Sequence, residues 1–186
     1  LLCPVDAIRE TDKAVGTVSF GISDCVNVFT GRLNIGEASG IPVIKRLLSK
    51  ISNSGNRTVF IDCPPGSACT VMESIQDADF CVLVAEPTVF GAHNLAMVYE
   101  LVSLFHKPFG AVLNKCQAGE NPSETFCREH RIPILGRIPF DSALGALNSE
   151  GKIAVRENQH YRKLFSSLLE QIGKEALYEA ASDSQR

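Results

Sequence analysis

Asp62-Cys63-Pro64-Pro65-Gly66 closes the apolar run Thr58-Val59-Phe60-Ile61. A carboxylate delivered by a short strand offers hard oxygen donors to a hydrated Mg²⁺. A glycine just beyond it lets a backbone N–H approach a terminal phosphate with no Cβ in the way. The chemistry in prospect is phosphoryl handling, with Asp62 on the metal side and Gly66 on the phosphate side. The same residues also make an ordinary exit from a strand, because Asp, Pro and Gly are turn formers. Open α/β sheets bind their ligands at the carboxyl ends of strands, which favours a ligand at this corner. No Gly-rich loop of the form G-x-x-x-x-G-K-[ST], the usual phosphate cradle, occurs in the 186 residues.

Seven cysteines at scattered spacings, with no C-x-x-C, support neither a disulfide framework nor a self-contained zinc site. Cys25 is a candidate for redox chemistry, whereas Cys63, Cys69, Cys81, Cys116 and Cys127 read as small core or loop residues. The four histidines, His93, His106, His130 and His160, are dispersed and read as surface or helix-end residues.

Strand and helix signals alternate along the chain. Two alternating stretches, Ala7 to Glu10 and Val15 to Phe20, flank the polar turn Thr11-Asp12-Lys13 and predict a small β-hairpin. The texture changes at Gly31. Ile44, Leu47, Leu48 and Ile51 then recur at helical spacing. A strand over Thr58 to Ile61 follows, then a helix within Cys69 to Ala78 and a strand Phe80 to Ala85. Next come a helix from about Gly91 to His106 with Leu95, Val98, Val102 and Phe105 on one stripe, and a strand Phe109 to Leu113. Phe80 to Ala85 is uniformly apolar, as a strand covered on both faces must be. Asn121-Pro122-Ser123-Glu124 has the N-cap, N1 proline and N3 glutamate of a helix start. A short strand Ile134 to Ile138, a helix begun by Asp141 and stopped near Gly151, and a last helix carrying Tyr161, Leu164, Phe165, Leu168, Leu169 and Ile172 complete the pattern. Strands interleaved with helices imply an α/β fold with a doubly wound, mostly parallel sheet.

The composition is that of an ordinary globule, 45% hydrophobic and 21% charged, with a formal charge of −3 and no basic stretch. This argues against nucleic acid and anionic membrane as primary partners. No apolar run approaches the roughly 20 residues that cross a bilayer. No signal peptide is evident at the start, and a cytoplasmic location is expected.

Four segments in order resemble the MinD/ParA-type P-loop ATPases: Thr58 to Gly66, Ala85-Glu86-Pro87-Thr88-Val89-Phe90-Gly91, Val112-Leu113-Asn114-Lys115 and Leu135-Gly136-Arg137-Ile138-Pro139-Phe140-Asp141. With Cys3-Pro4 and Gly31-Arg32-Leu33-Asn34-Ile35-Gly36-Glu37, the chain resembles the subgroup that carries an inserted ferredoxin domain. The resemblance implies an ATP-binding and hydrolysing protein with Mg²⁺, coupled to a [4Fe–4S] module for iron–sulfur carriage or electron transfer. It further implies a homodimer and an iron–sulfur or redox protein partner. Asp62 takes the place of the Walker B acid, with Pro64, Pro65 and Gly66 as the segment that senses the γ-phosphate. Asn114 takes that of the adenine-contacting amide, Pro139 that of the residue packed on the base, and Asp141 lies close by. Asn114 also fits a local Asx turn, and Asp141 a plain helix N-cap. Cys3 matches the last cysteine of a C-x₂-C-x₂-C-x₃-C-P cluster run, or is a buried free thiol before a turn.

The opening at Leu1 reads as the tail of a longer protein. Residues 1–30 are expected to be the end of a ferredoxin-like insert and residues 31–186 the later part of the nucleotide-binding domain. The phosphate loop, its strand and the switch I acid are expected upstream, so this stretch alone should bind nucleotide poorly and be inactive. It should also be marginal or prone to aggregate through unpaired strand edges. Two other functions fit the same residues: a scaffold that binds without turnover, or an amide ligase of the cobyrinate diamide synthase type.

Overall fold

The computed structural model describes Ala7 and residues 11–51 and 57–183. They fall into two units, described one at a time. The first comprises the described residues up to Pro64 together with Ala68–Ser74, and the second Pro65–Ser67 with the chain from Ile75 onward.

The first unit is built on an antiparallel hairpin of β1 (Gly16–Ser23) and β2 (Val26–Leu33), with Phe20 opposite Phe29. The hairpin expected near the start is present: the stretch 15–20 lies, from Gly16 on, in the first strand among the described residues, and it pairs there with a strand downstream. Asp24 takes φ +53° in the Asp24-Cys25 turn, a conformation that Asp tolerates better than most residues and that closes a tight hairpin. Residues 8–10 lie outside the described residues. β2 runs on past residue 30, through Gly31 to Leu33. Helix α1 (Ile41–Ile51) follows the predicted spacing and buries Val43.

Thr58 to Ile61 is not a strand. These residues have no ladder partner among the described residues, and Val59, Phe60 and Ile61 are exposed. High β propensity alone does not make a strand, since backbone N–H and C=O groups need a neighbouring chain to bond. Helix α2 (Cys69–Ile75) lies within the bounds the sequence predicts.

The second unit is a parallel sheet in the order β3 (Cys81–Ala85), β4 (Phe109–Cys116), β5 (Ile134–Pro139). Helix α3 (Val89–Leu104) and helix α4 (Pro122–Glu129) form the crossovers and pack against each other. Gly110, Ala111, Val112 and Leu113 are all buried, so the middle strand is covered on both faces. On one face Val112, Leu135 and Ile138 pack against Leu164, Phe165, Leu168 and Ile172 of α7 (Gln159–Asp183). The expectation that β3 is covered on both faces is corrected. Cys81, Leu83 and Ala85 are buried, whereas Val82 is 37% and Val84 64% exposed, and among the described residues β3 pairs with β4 alone, at the edge of the sheet. Two short helices, α5 (Ser142–Ser149) and α6 (Ala154–Glu157), link β5 to α7. No helix among the described residues is long and apolar enough to cross a membrane.

Candidate functional site

The carboxyl ends of β3, β4 and β5 lie side by side, and the second unit gathers its polar groups there. Asn114 is within β4, not beyond it as the sequence suggested. Leu113 pairs with Arg137 and Cys116 with Pro139, so Asn114 and Lys115 together oppose only Ile138. That extra residue is a β-bulge, and Lys115 absorbs it at φ +57°. The bulge turns the backbone N–H of Lys115 onto the Asn114 side chain, which accepts it through Oδ1 at 3.0 Å. An N–H can only face the carbonyl end of an amide, so this contact fixes which end of Asn114 is which. Its Nδ2 makes no hydrogen bond among the described residues, and the side chain is half-buried. Asn114 therefore presents a donor.

Pro139 ends β5 beside Cys116, and the next amide, Phe140 N, donates to Cys116 O at 2.8 Å. Asp141 is the N-cap of α5, its Oδ1 accepting from Ala143 N at 2.8 Å and Leu144 N at 3.3 Å. Its Oδ2 accepts from the Tyr161 hydroxyl at 2.7 Å. That hydrogen bond and the two amides hold the Asp141 carboxyl below its ordinary range, and the carboxylate pushes the Tyr161 phenol above its own. The sheet thus brings Asn114, Pro139 and Asp141 to one end.

Residues to which the sequence assigned no role at the site complete this end. Glu86 follows β3, and its Oε1 lies 2.6 Å from Lys115 Nζ. Its backbone carbonyl accepts from the Ser123 hydroxyl at 2.6 Å and from Thr88 N at 2.8 Å. Ser123 is wholly buried, and a Cβ on Gly91 would run into the same carbonyl, so only glycine fits there. A carboxylate at the end of a strand was the signal used for Asp62, and it would equally have found Glu86. On β5, Arg137 grips Glu124 of α4 at 2.7 and 3.3 Å.

Asp62 and its neighbours are described by themselves. Asp62 is exposed, and the adjoining Cys63 thiol is pushed up chiefly by burial and further by the Asp62 carboxylate. Gly66 stands at φ +89°, with nothing within 4 Å of where a Cβ would be. Gly66 is exposed, in a conformation that other residues rarely adopt. No cluster of three or more metal-binding side chains occurs among the described residues. A metal held by one carboxylate through water needs none. Cys3 lies outside the described residues.

No known family profile matches the chain. Two uncharacterised proteins of Methanocaldococcus jannaschii are similar to it. MJ0578 is 24% identical over 72% of this chain and 49% of its own length, and MJ0579 is 26% identical over 78% and 51%. The chain spans about half the length of these curated relatives. Among solved structures, it resembles the MinD cell division protein of Aquifex aeolicus (TM-score 0.59, 19% identity, 72% of this chain and 61% of that one). It also resembles the cell division ATPase MinD of Pyrococcus furiosus (0.60, 24%, 70% and 57%) and the MinC:MinD complex of A. aeolicus (0.58, 18%, 74% and 59%). The chain has the α/β fold of MinD.

Proposed function

We propose that this chain supplies the base-binding and metal-facing side of a MinD-type ATPase that binds ATP with Mg²⁺. The Asn114 amide carries the proposal. It is turned by a strained bulge at the carboxyl end of the middle strand of a parallel sheet, with its Nδ2 left to donate and Pro139 on the neighbouring strand end. Non-glycine residues at positive φ inside strands are rare and concentrate where a side chain must be aimed. A donor there suits a ring nitrogen of adenine, and the Pro139 ring is suited to lie against the base. Asp62 would hold Mg²⁺ through water, and the Gly66 amide, reached past Pro65, would meet the γ-phosphate. The ion, when bound, draws charge from the phosphate oxygens.

The finer parts have narrower support. Val89 and Phe90, 77% and 80% exposed in the first turn of α3, offer the apolar surface that a second subunit would cover, which supports a homodimer. Iron–sulfur coupling rests on the Cys3-Pro4 and Gly31 to Glu37 patterns of the sequence, with Cys3 as a [4Fe–4S] ligand and a redox protein as partner in the full-length protein. A cytoplasmic location belongs to the same reading and rests on the resemblance alone.

Equilibrium binding of labelled ATP to the full-length protein tests the base side. Asn114→Ala is expected to weaken binding about tenfold or more, the worth of one hydrogen bond from a half-buried donor. Asp62→Ala should bind ATP but lose Mg²⁺-dependent hydrolysis. ATP binding indifferent to Asn114→Ala would refute the assignment, and Mg²⁺-dependent binding with no turnover in the wild type would favour the scaffold. Cys3→Ser in anaerobically purified protein should lose cluster absorbance if the iron–sulfur coupling holds.

A further inference from the structure

We propose that Asp141 does not contact the base but positions the Pro139-Phe140 loop, and that Tyr161 is the group that holds it there. The inference rests on the base site proposed at Asn114 and Pro139.

Asp141 is already engaged at both oxygens. Oδ1 caps α5 through two backbone amides, and Oδ2 takes the Tyr161 hydroxyl at 2.7 Å. Tyr161 is only 4% exposed. A phenol this deeply buried needs a partner for its hydroxyl, and Asp141 is the acceptor that meets it. Were Asp141 to turn toward a base, it would strand the hydroxyl and uncap the helix.

The loop is therefore pinned at both ends. Upstream, Phe140 N is bonded to Cys116 O, one residue past the bulge that aims Asn114. Downstream, Asp141 is fastened by Tyr161 in the first turn of α7, whose later turns pack on the sheet. Pro139 comes just before these ties, paired with Cys116 at the last position of β5, and its ring has no hydrogen bond of its own. The ladder sets where Pro139 begins, and the direction in which the chain leaves it is set by the Phe140 amide and by Asp141. Removing the Tyr161 hydroxyl leaves the cap intact and releases the far end of the loop.

Competition against labelled ATP in the full-length protein, with unlabelled ATP and with inorganic tripolyphosphate as competitors, separates base from phosphate binding. Tyr161→Phe is expected to weaken ATP about three- to tenfold, as the loss of one hydrogen bond would, without shifting tripolyphosphate. Asp141→Ser, which still caps but falls short of Tyr161, should lose by the same factor, and the double variant should lose no more than either. Loss of ATP affinity in Asp141→Ser but not in Tyr161→Phe overturns the proposal in favour of direct contact. Equal loss for both competitors reduces the hydrogen bond to a structural role and also overturns it. Asn114→Ala is the separate control. If it fails to weaken ATP selectively, the base site itself is wrong, whereas a selective loss there with no effect of Tyr161→Phe refutes only the role of Tyr161.

Discussion

Lys115 Nζ lies 2.6 Å from Glu86 Oε1, so the bulge of β4 is tied to the residue that ends β3. Both side chains are about half exposed, at 55% and 47%, and a pair so placed contributes at most about 1 kcal/mol. The backbone beneath it weighs as much. At φ +57° Lys115 occupies a left-handed conformation that costs a residue with a Cβ about 1 kcal/mol and glycine almost nothing. Lys115→Ala and Lys115→Gly lose the same ion pair, yet the glycine variant is expected to be more stable by about 1 kcal/mol in urea unfolding, against the usual order in a strand. Equal midpoints, or alanine ahead, would contradict the bulge.

That bulge also marks where the sequence stopped being informative. Apolar spacing carried α1, α3 and α7, because a helix closes its hydrogen bonds within its own segment. Asn121-Pro122-Ser123-Glu124 was legible for the same reason: Asn121 Oδ1 accepts from Glu124 N at 3.1 Å, a contact within four residues. Strands depend on partners elsewhere, so Thr58 to Ile61 and Phe80 to Ala85 looked alike in composition and came out differently. Asn114 was singled out through the resemblance of Val112-Leu113-Asn114-Lys115 to the MinD/ParA pattern. Its orientation depends on a register slip against β5, and no local signal of Lys115 announces a left-handed residue. Glu86 and Lys115 stand 29 positions apart and Asp141 and Tyr161 stand 20, so neither pair could be read before the sheet was assembled.

Ser123 should be sensitive out of proportion to its size. Its hydroxyl is fully buried and donates to Glu86 O at 2.6 Å, joining α4 to the loop after β3. Ser123→Ala removes that donor and leaves the carbonyl with Thr88 N alone, a loss of about 1 to 2 kcal/mol for a buried hydrogen bond. Urea unfolding of the variant checks this, and a change within about 0.3 kcal/mol would mean that the contact does not form in solution.

Native-state alkylation should sort the described cysteines by depth. Cys25 and Cys69 are exposed and should react with iodoacetamide first, whereas Cys81 and Cys127 are buried and should react only on unfolding. Cys63 and Cys116 should fall between, since burial pushes both thiols up and leaves less thiolate at pH 8. The Asp62 carboxylate adds to the effect at Cys63, so Asp62→Asn should speed labelling there and nowhere else. Peptide mass spectrometry over a time course gives the order, and Cys127 labelling as fast as Cys25 would contradict the core.

Acid should weaken the second unit through Glu124 and Arg137. Their hydrogen bonds, at 2.7 and 3.3 Å, hold the Glu124 carboxyl below its ordinary range. The unfolded chain, whose Glu124 titrates near the usual value of about 4.3, then binds the proton that the folded chain refuses. Stability from this pair is accordingly complete above about pH 5 and is lost as pH falls through the lowered value in the fold. Glu124→Gln should flatten the decline of stability below about pH 5, and 0.5 M salt should flatten it in the wild type, since both side chains reach solvent. Asp141 is held low in the same direction by Tyr161, so Tyr161→Phe should remove a second part of the same slope. Urea midpoints between about pH 3 and pH 7 measure both. A slope that steepens in Glu124→Gln would reverse the sign and rule out the pair as its source.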